Sequence, residues 1–392
     1  MARKLASVQY VHDIWPIEGA DRIECIGVLG WRCVAKKGEF EVGDLCVYFE
    51  IDSFLPMDER FAFLGSTSLK HSELLGDGYR LRTQRFRGQI SQGLALPLTV
   101  LPEGDWRIGD DVTELLGVRK WEISQRASSG GTIVGTLPAW VPKTDETRVQ
   151  SEPGLINEFA GLPYYITTKM DGTSVTMYRV EGRFGICGHN YELADDGKCS
   201  FWKWAHEHEI EQRLVSVGLD NVVLQGEFCA AGIQGNPLTL KRPEWYVFTV
   251  RDASREERLG LDETRAICER LGLTMVPVEE RGEDLPYRSV EELLERARGL
   301  YENGRTKEGI VIRPQTPVYS PTVGASLSMK VINNDYLVRK ARKGKRGSTA
   351  RWFEFDTASY LTCCSTIPTC RHTPQRFCRS CPQGCARRSW GR

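Results

Sequence analysis

The chain has 392 residues, 52 basic against 52 acidic side chains, and a hydrophobic content of 41%. That length supports two or three domains, each with a core of its own. No run approaches the ~20 apolar residues of a membrane span, and Met1-Ala2-Arg3-Lys4-Leu5 lacks the apolar core of a signal peptide, so a soluble cytoplasmic protein is expected, with no membrane partner and no obligate protein partner.

Residues 1–125 read mostly as strand, for example Ile23–Val28, Trp31–Ala35 and Leu45–Ile51, separated by turn signals such as Lys37-Gly38 and Val42-Gly43-Asp44. Short strands at close spacing predict a small barrel. Within it the run from Tyr79 to Gly88 carries Arg80, Arg82, Arg85 and Arg87. On one strand, Arg80 and Arg82 would share a face, as would Arg85 and Arg87 further along. Such a strand suits binding to an oligonucleotide backbone; it equally suits a solvated edge strand protected by charge.

Residues 126–150 read as a linker, flexible at Arg126-Ala-Ser-Ser-Gly-Gly and stiff around Leu137-Pro138-Ala139-Trp140-Val141-Pro142. Residues 151–342 read as an α+β body. Helices are predicted over Ser200–Val217, closed by Gly218, over Asp262–Gly272, and from Ser289, where Ser289-x-x-Glu292 has the form of a capping box. His206 and His208, two residues apart, do not share a helix face and make poor joint metal ligands.

Residues 343–392 read as a basic, cysteine-rich tail. Residues 341–392 hold 11 Lys or Arg against two acidic residues, so the neutral total does not argue against a polyanionic partner. Six of the 13 cysteines crowd into the last 30 residues. Cys370, His372, Cys378, Cys381 and Cys385 could be written as a zinc site, but the segment lacks hydrophobic periodicity and reads more readily as disordered or frameshifted.

The chemistry candidates sit on the strands of the body. Lys169-Met170-Asp171-Gly172 lies between Tyr164–Thr167 and Val175–Tyr178, runs rich in aromatic and β-branched residues. A lysine at such a turn is held on a rigid platform and can act as a covalent nucleophile. Four segments follow in order: Gly226-Glu227, a strand with Phe248 in its middle, Lys307-Glu308-Gly309 at a strand start, and Ser328-Met329-Lys330. Each has an ordinary structural explanation alone, since Glu-Gly is a common turn pair and a strand Phe is usually core.

In this order the segments resemble the covalent nucleotidyltransferase superfamily of ATP-dependent ligases and capping enzymes. Glu50-Ile51-Asp52-Ser53-Phe54-Leu55-Pro56, Arg87–Leu94 and Gly232–Asn236 are similar to the Deinococcus-type RNA ligases, which place an OB domain at the N-terminus. The resemblance covers roughly residues 1–340. It implies an OB-like β-barrel followed by an adenylyltransferase domain of ATP-grasp-like antiparallel sheets and helices.

It also implies ATP with Mg2+ or Mn2+, and RNA or an RNA-containing nicked duplex as partner. Lys169 would take AMP covalently. Asp171 would orient the lysine and a metal-bound water, and Glu308 would hold the metal. Thr168 and Gly172 would lie along the base and the turn. Glu227 would bond the ribose, Phe248 would stack on adenine, and Lys330 would contact the α-phosphate. His189 and Asn190 would line the nucleotide, and Lys307 and Arg313 would assist, Arg313 also toward nucleic acid. Two departures stand out: Gly188-His189-Asn190 where many relatives have Ser-Arg-Asn, and Ser328 where many ligases have the first lysine of Lys-x-Lys. To act as a nucleophile Lys169 must lose its proton, and either Lys330 or a metal is expected to lower its pKa.

The expected activity is ATP-dependent sealing of 3′-hydroxyl and 5′-phosphate RNA ends in a duplex, as in RNA repair. A DNA ligase or a capping guanylyltransferase is the near alternative, though both usually carry an OB domain after the last motif. A nucleic-acid-binding protein without catalysis is the alternative of another class.

Overall fold

The structure, a computed structural model, describes residues 3–121 and 131–343. The N-terminal part is built on two antiparallel sheets. One runs Leu94–Pro97, Leu45–Phe49, Ala6–Pro16, Ile23–Val28, Trp31–Lys36; the other runs Arg119–Lys120, Ser53–Pro56, Gly76–Arg80, Leu69–Ser72. Alternation decides their inner face: Trp31, Cys33 and Ala35 are buried while Arg32 and Lys36 are exposed. Trp31 and Tyr48 stack inside at 6.5 Å.

The arginine run is not one strand. Gly76–Arg80 and Gln84–Phe86 belong to different sheets, joined through Leu81–Thr83, and Arg87 turns the chain at φ 47°. Leu81 and Thr83 are buried, which anchors the connection and interrupts the alternation. Arg80 is taken up by Asp52 at 3.2 Å and lies over the Trp121 ring at 4.9 Å. Arg82 is half-buried, while Arg85 and Arg87 are exposed.

The body holds two antiparallel sheets. The larger runs Ile133–Thr136, Tyr191–Leu193, Arg183–Cys187, Thr173–Val180, Val222–Cys229, Glu244–Asp252, Glu257–Arg258, with Thr274–Met275 added in parallel beside Glu244–Asp252. The smaller runs Val278–Gly282, Tyr164–Lys169, Gly309–Pro314, Met329–Ile332. The chain leaves the smaller sheet at Lys169 and enters the larger at Thr173, so the Lys169 turn is the hinge line between them. Each sheet has its own core: Trp202, Trp204, Phe228 and Trp245 under the larger, Phe159, Ile166, Ile312 and Val331 under the smaller.

The predicted helix over Ser200–Val217 is two helices, Ser200–Glu207 and Ile210–Ser216, broken at Glu209 with φ 52°. The break has a packing cause. His208 stacks on Trp204 at 4.0 Å, and the new helix axis then buries Ile210 and Leu214 in the same core. Leu261–Leu271 ends at left-handed Gly272, close to expectation. Ser289 caps Val290–Arg296 by accepting from the Glu292 amide at 3.2 Å, while Glu292 reaches back one residue further, to the Arg288 amide.

Residues 131–150, expected as linker, are folded. Ile133–Thr136 adds an edge strand, Val141 and Val149 are buried, and Gln150 accepts from the Gly30 amide at 2.9 Å. Residues 126–130 and the cysteine-rich segment lie outside the described residues.

Candidate active site

Lys169 is the last residue of Tyr164–Lys169, and its backbone pairs with Gly309 across the smaller sheet. That register sets Glu308 beside it, and Lys169 Nζ donates to Glu308 Oε2 at 2.8 Å. The Tyr301 hydroxyl ties the two backbones together, donating to the Lys169 carbonyl at 2.9 Å and accepting from the Glu308 amide at 3.1 Å. On the other side of the turn the Gly172 amide donates to Glu227 Oε1 at 3.0 Å. Asp171 is held by the Tyr336 hydroxyl and lies 3.8 Å from Lys340 Nζ.

Gly172 is required for a reason other than turn freedom. Its φ is not positive; instead an added Cβ would stand 2.4 Å from the Phe228 carbonyl oxygen, so the turn can close on Val222–Cys229 only without a side chain. Gly309 repeats the logic, since a Cβ there would meet the Val331 carbonyl oxygen at 2.1 Å. Both motif glycines serve close backbone approach around Lys169.

A cavity of about 290 Å³ opens over this turn, walled by both sheets. Lys169, Thr168, Gly172, Glu227, Phe248, His189, Arg313 and Lys330 all reach its lining. Asp171, Asn190, Lys307 and Glu308 do not line it, though Glu308 bonds Lys169 at its edge. Lys307 is buried and turned to Glu279, with both oxygens at 2.7 Å, and Glu279 also accepts from Arg296 and from the Thr168 hydroxyl. Arg313 is a correction too. It is 3% exposed, bonded to Glu146 and to the Phe248 carbonyl, and is no surface for nucleic acid.

Sequence reasoning missed Thr144, Asp145 and Glu146, which line the cavity from the expected linker. The signal was available: Thr144-Asp145-Glu146-Thr147-Arg148 is charged and contains no Gly, Ser or Pro. His189, standing where relatives have arginine, pairs with Asp145 at 3.4 Å. Tyr301, Tyr336 and Lys340 carried no local signal.

The charges are strongly coupled. Burial opposes the Lys169 ammonium, but the carboxylates of Glu308 and then Glu227 outweigh it and hold the amine above its ordinary value. In the nucleotide-free protein the carboxylate neighbours of Lys169 therefore raise its pKa, where a nearby cation was expected to lower it. Burial, reinforced by Glu308, pushes Glu227 up to about 7 despite Lys169, and Asp171 up to about 6. Burial and the charge of Arg148 push Lys330 down to about 7. The hydrogen bond from His189 holds Asp145 well below the usual carboxylate range. The site thus waits as a protonated lysine among carboxylates, beside a lysine ready to take a proton.

The comparisons agree with this geometry. Residues 162–332 match the RNA ligase family profile, and residues 5–98 match a profile described as an OB-fold domain. The Naegleria gruberi RNA ligase with PPi superposes with a TM-score of 0.78 at 37% identity, over 88% of this chain and 100% of that one. This chain belongs to the RNA ligase family. A lysine-to-methionine variant of the Naegleria gruberi RNA ligase with AMP and Mn gives 0.78 at 37% identity, over 86% of this chain and 98% of that one. A lysine-to-alanine variant with ATP and Mn gives 0.77 at 37% identity, over 87% and 98%. No curated protein sequence matches the chain. As an RNA ligase the chain is an enzyme, with an N-terminal OB fold followed by antiparallel sheets and helices. None of the helices among the described residues is long and apolar enough to cross a membrane.

Proposed function

We propose that this RNA ligase uses ATP to adenylylate Lys169 and seals 3′-hydroxyl and 5′-phosphate RNA ends held in a duplex, an RNA-repair activity. The observation that carries the reading is the 2.8 Å pair of Lys169 and Glu308 beside a cavity lined by Glu227, Phe248 and Lys330. The cavity has one aromatic face for a base, a carboxylate for a ribose and a lysine for phosphate. Solved relatives hold ATP, AMP, PPi and Mn.

Lys169 Nζ, once deprotonated, attacks the α-phosphorus; the N–P bond forms and the bond to pyrophosphate breaks. Lys330 faces the phosphates and gains its proton as their charge arrives. Glu227 orients the ribose and the Lys169 turn together through the Gly172 amide. The 5′-phosphate of RNA then takes AMP from Lys169, and a 3′-hydroxyl displaces AMP to form the phosphodiester.

The donor set suits a hard divalent cation. Among the described residues no group of three or more His, Cys, Asp or Glu side chains is placed to hold a metal by itself, which fits Mg2+ or Mn2+ held by one carboxylate with phosphate oxygens and water. Both carboxylates carry a partner here, Glu308 the Lys169 ammonium and Asp171 the Tyr336 hydroxyl and Lys340; Glu308 is the assigned ligand, because loss of the Lys169 proton before attack frees it. An ion there would offset the Glu308 charge that keeps Lys169 protonated and draw electron density from the α-phosphate.

RNA binding is assigned to the OB surface at Arg82, Arg85 and Arg87. Lys70 adds to it, its pKa lowered by burial and by Arg82 and Arg80. A cytoplasmic location suits the seven described cysteines, all buried and unpaired, as expected under reducing conditions.

The test is incubation with α-labelled ATP and Mg2+ or Mn2+, followed by a denaturing gel. Label on the protein, absent from Lys169→Ala, is expected. Label that survives that substitution, or that comes from GTP and not ATP, would overturn the reading.

A further inference from the structure

The helix Asn334–Lys343 follows the Lys330 strand and is fastened at its start to Lys307 and Glu308, the residues just before the strand Gly309–Pro314. Asn333 is buried; its amide donates to the Glu308 carbonyl at 2.9 Å, its side chain donates to the Lys307 carbonyl at 3.2 Å, and Asn333 Oδ1 accepts from the Asp335 amide at 2.9 Å. The same helix is seated on the OB barrel. Gln92 Nε2 donates to Asn334 Oδ1 at 3.1 Å, and Leu337 packs against the core that contains Trp31 and Tyr48.

On its remaining face the helix presents Tyr336 and Lys340, one turn apart and therefore adjacent. Tyr336 is buried and its hydroxyl bonds Asp171, while Lys340 Nζ donates to that hydroxyl at 2.7 Å and stands 3.8 Å from Asp171 Oδ1. Asp171 thus has two partners from outside its own turn. Lys169 Nζ, although two residues away, bonds Glu308.

We propose that Tyr336 and Lys340 are positioning residues for the Lys169 reaction, holding the Asp171 carboxylate and with it the turn that presents the amine. Without them the turn loses its outer anchor and the amine is no longer held in place for attack. The seat of the helix on the barrel makes this clamp depend on both halves of the chain. The inference rests on Lys169 being the nucleotide-accepting amine.

The full chain is compared with its Tyr336→Phe, Lys340→Met and Lys340→Arg variants by two measurements. In the first, without nucleotide, hydrogen exchange of the amides from Met170 to Thr173 is followed. In the second, AMP transfer from labelled ATP is followed in a single turnover. Tyr336→Phe and Lys340→Met are expected to speed exchange in this segment selectively and to slow transfer about tenfold, the effect of one charge-assisted hydrogen bond. The half-saturating ATP concentration stays within twofold, and Lys340→Arg restores most of both properties. Wild-type behaviour of the two disrupting variants would overturn the proposal. So would a loss confined to ATP affinity, a rise in exchange across the whole protein, or Lys340→Arg behaving as Lys340→Met. If Lys169→Ala still takes label, the nucleophile assignment fails, and the exchange measurement still decides whether Tyr336 and Lys340 hold the Asp171 turn.

Discussion

Lys169 Nζ and Glu308 Oε2 are 2.8 Å apart, and the carboxylate favours the ammonium form of the lysine. Replacing Glu308 by Gln keeps a hydrogen-bond acceptor and removes the nearest negative charge. The Lys169 amine should then lose its proton at lower pH. The rate of Lys169 acetylation against pH, read by mass spectrometry without nucleotide, should shift its midpoint downward in Glu308→Gln. An unchanged midpoint would show that Glu308 does not govern the amine.

Lys330, pushed down to about 7 by burial and by Arg148, is only partly protonated just above neutral pH. A triphosphate beside it favours the ammonium form, so ATP binding at pH 8 should take up part of a proton. Calorimetry in buffers of different ionisation enthalpy measures that uptake, and Lys330→Met should reduce it. Equal binding heats in all buffers would count against the assignment.

Glu227, raised to about 7 by burial and then by Glu308, makes a prediction about stability without nucleotide. Below the unfolded value near 4.5, both states hold the proton and the group is neutral in effect. As pH rises through the window from there to about 7, the unfolded chain ionises first and native stability falls. Glu227→Gln retains the acceptor for the Gly172 amide and removes this loss. Its stability relative to wild type should therefore grow across that window and then level off, by on the order of 1–3 kcal/mol. Denaturant titrations at several pH values check the slope; a gain independent of pH would refute it.

Lys307 and Arg313 should behave as structural residues. Each is a buried cation with an ion-pair partner, Glu279 and Glu146. Arg313→Met leaves the Glu146 carboxylate without its ion-pair partner, at a cost of about 3–5 kcal/mol, while Lys307→Met, which leaves Glu279 paired with Arg296, should cost less. Urea denaturation should register that loss. A fully stable Arg313→Met protein with weakened RNA binding would reverse the assignment.

Arg85 and Arg87 should show the opposite pattern. They are exposed, so Arg85→Ala combined with Arg87→Ala should leave stability nearly unchanged. Each RNA phosphate that is no longer neutralised should lower the salt dependence of binding by about one unit of slope. An unaltered slope would move the RNA surface elsewhere.

The motif residues were legible in the sequence because each is defined by backbone pairing close to its own position. Lys169 ends a β-branched run, Glu308 precedes a glycine that must touch Val331, and Gly172 must touch Phe228. Those local demands survive in one dimension. The arginine run misled because alternation along a strand assumes the strand continues, and buried Leu81 and Thr83 end it. Lys307 and Arg313 misled because a basic residue near a motif looks like a phosphate ligand until its burial and its carboxylate partner are known.

By itself the sequence determined the order of chemistry-bearing segments and, through the family they resemble, the N-terminal OB domain and Lys169 as the candidate nucleophile. Residue type and spacing carry that order. Tertiary structure alone decided which charged groups surround that lysine. Glu308 lies 139 residues away from Lys169, and Tyr336 and Lys340 reach Asp171 from a helix after the last motif. A pKa depends on charges a few ångströms away and on exclusion of water, and the chain fixes neither until two sheets and a barrel have closed around the turn.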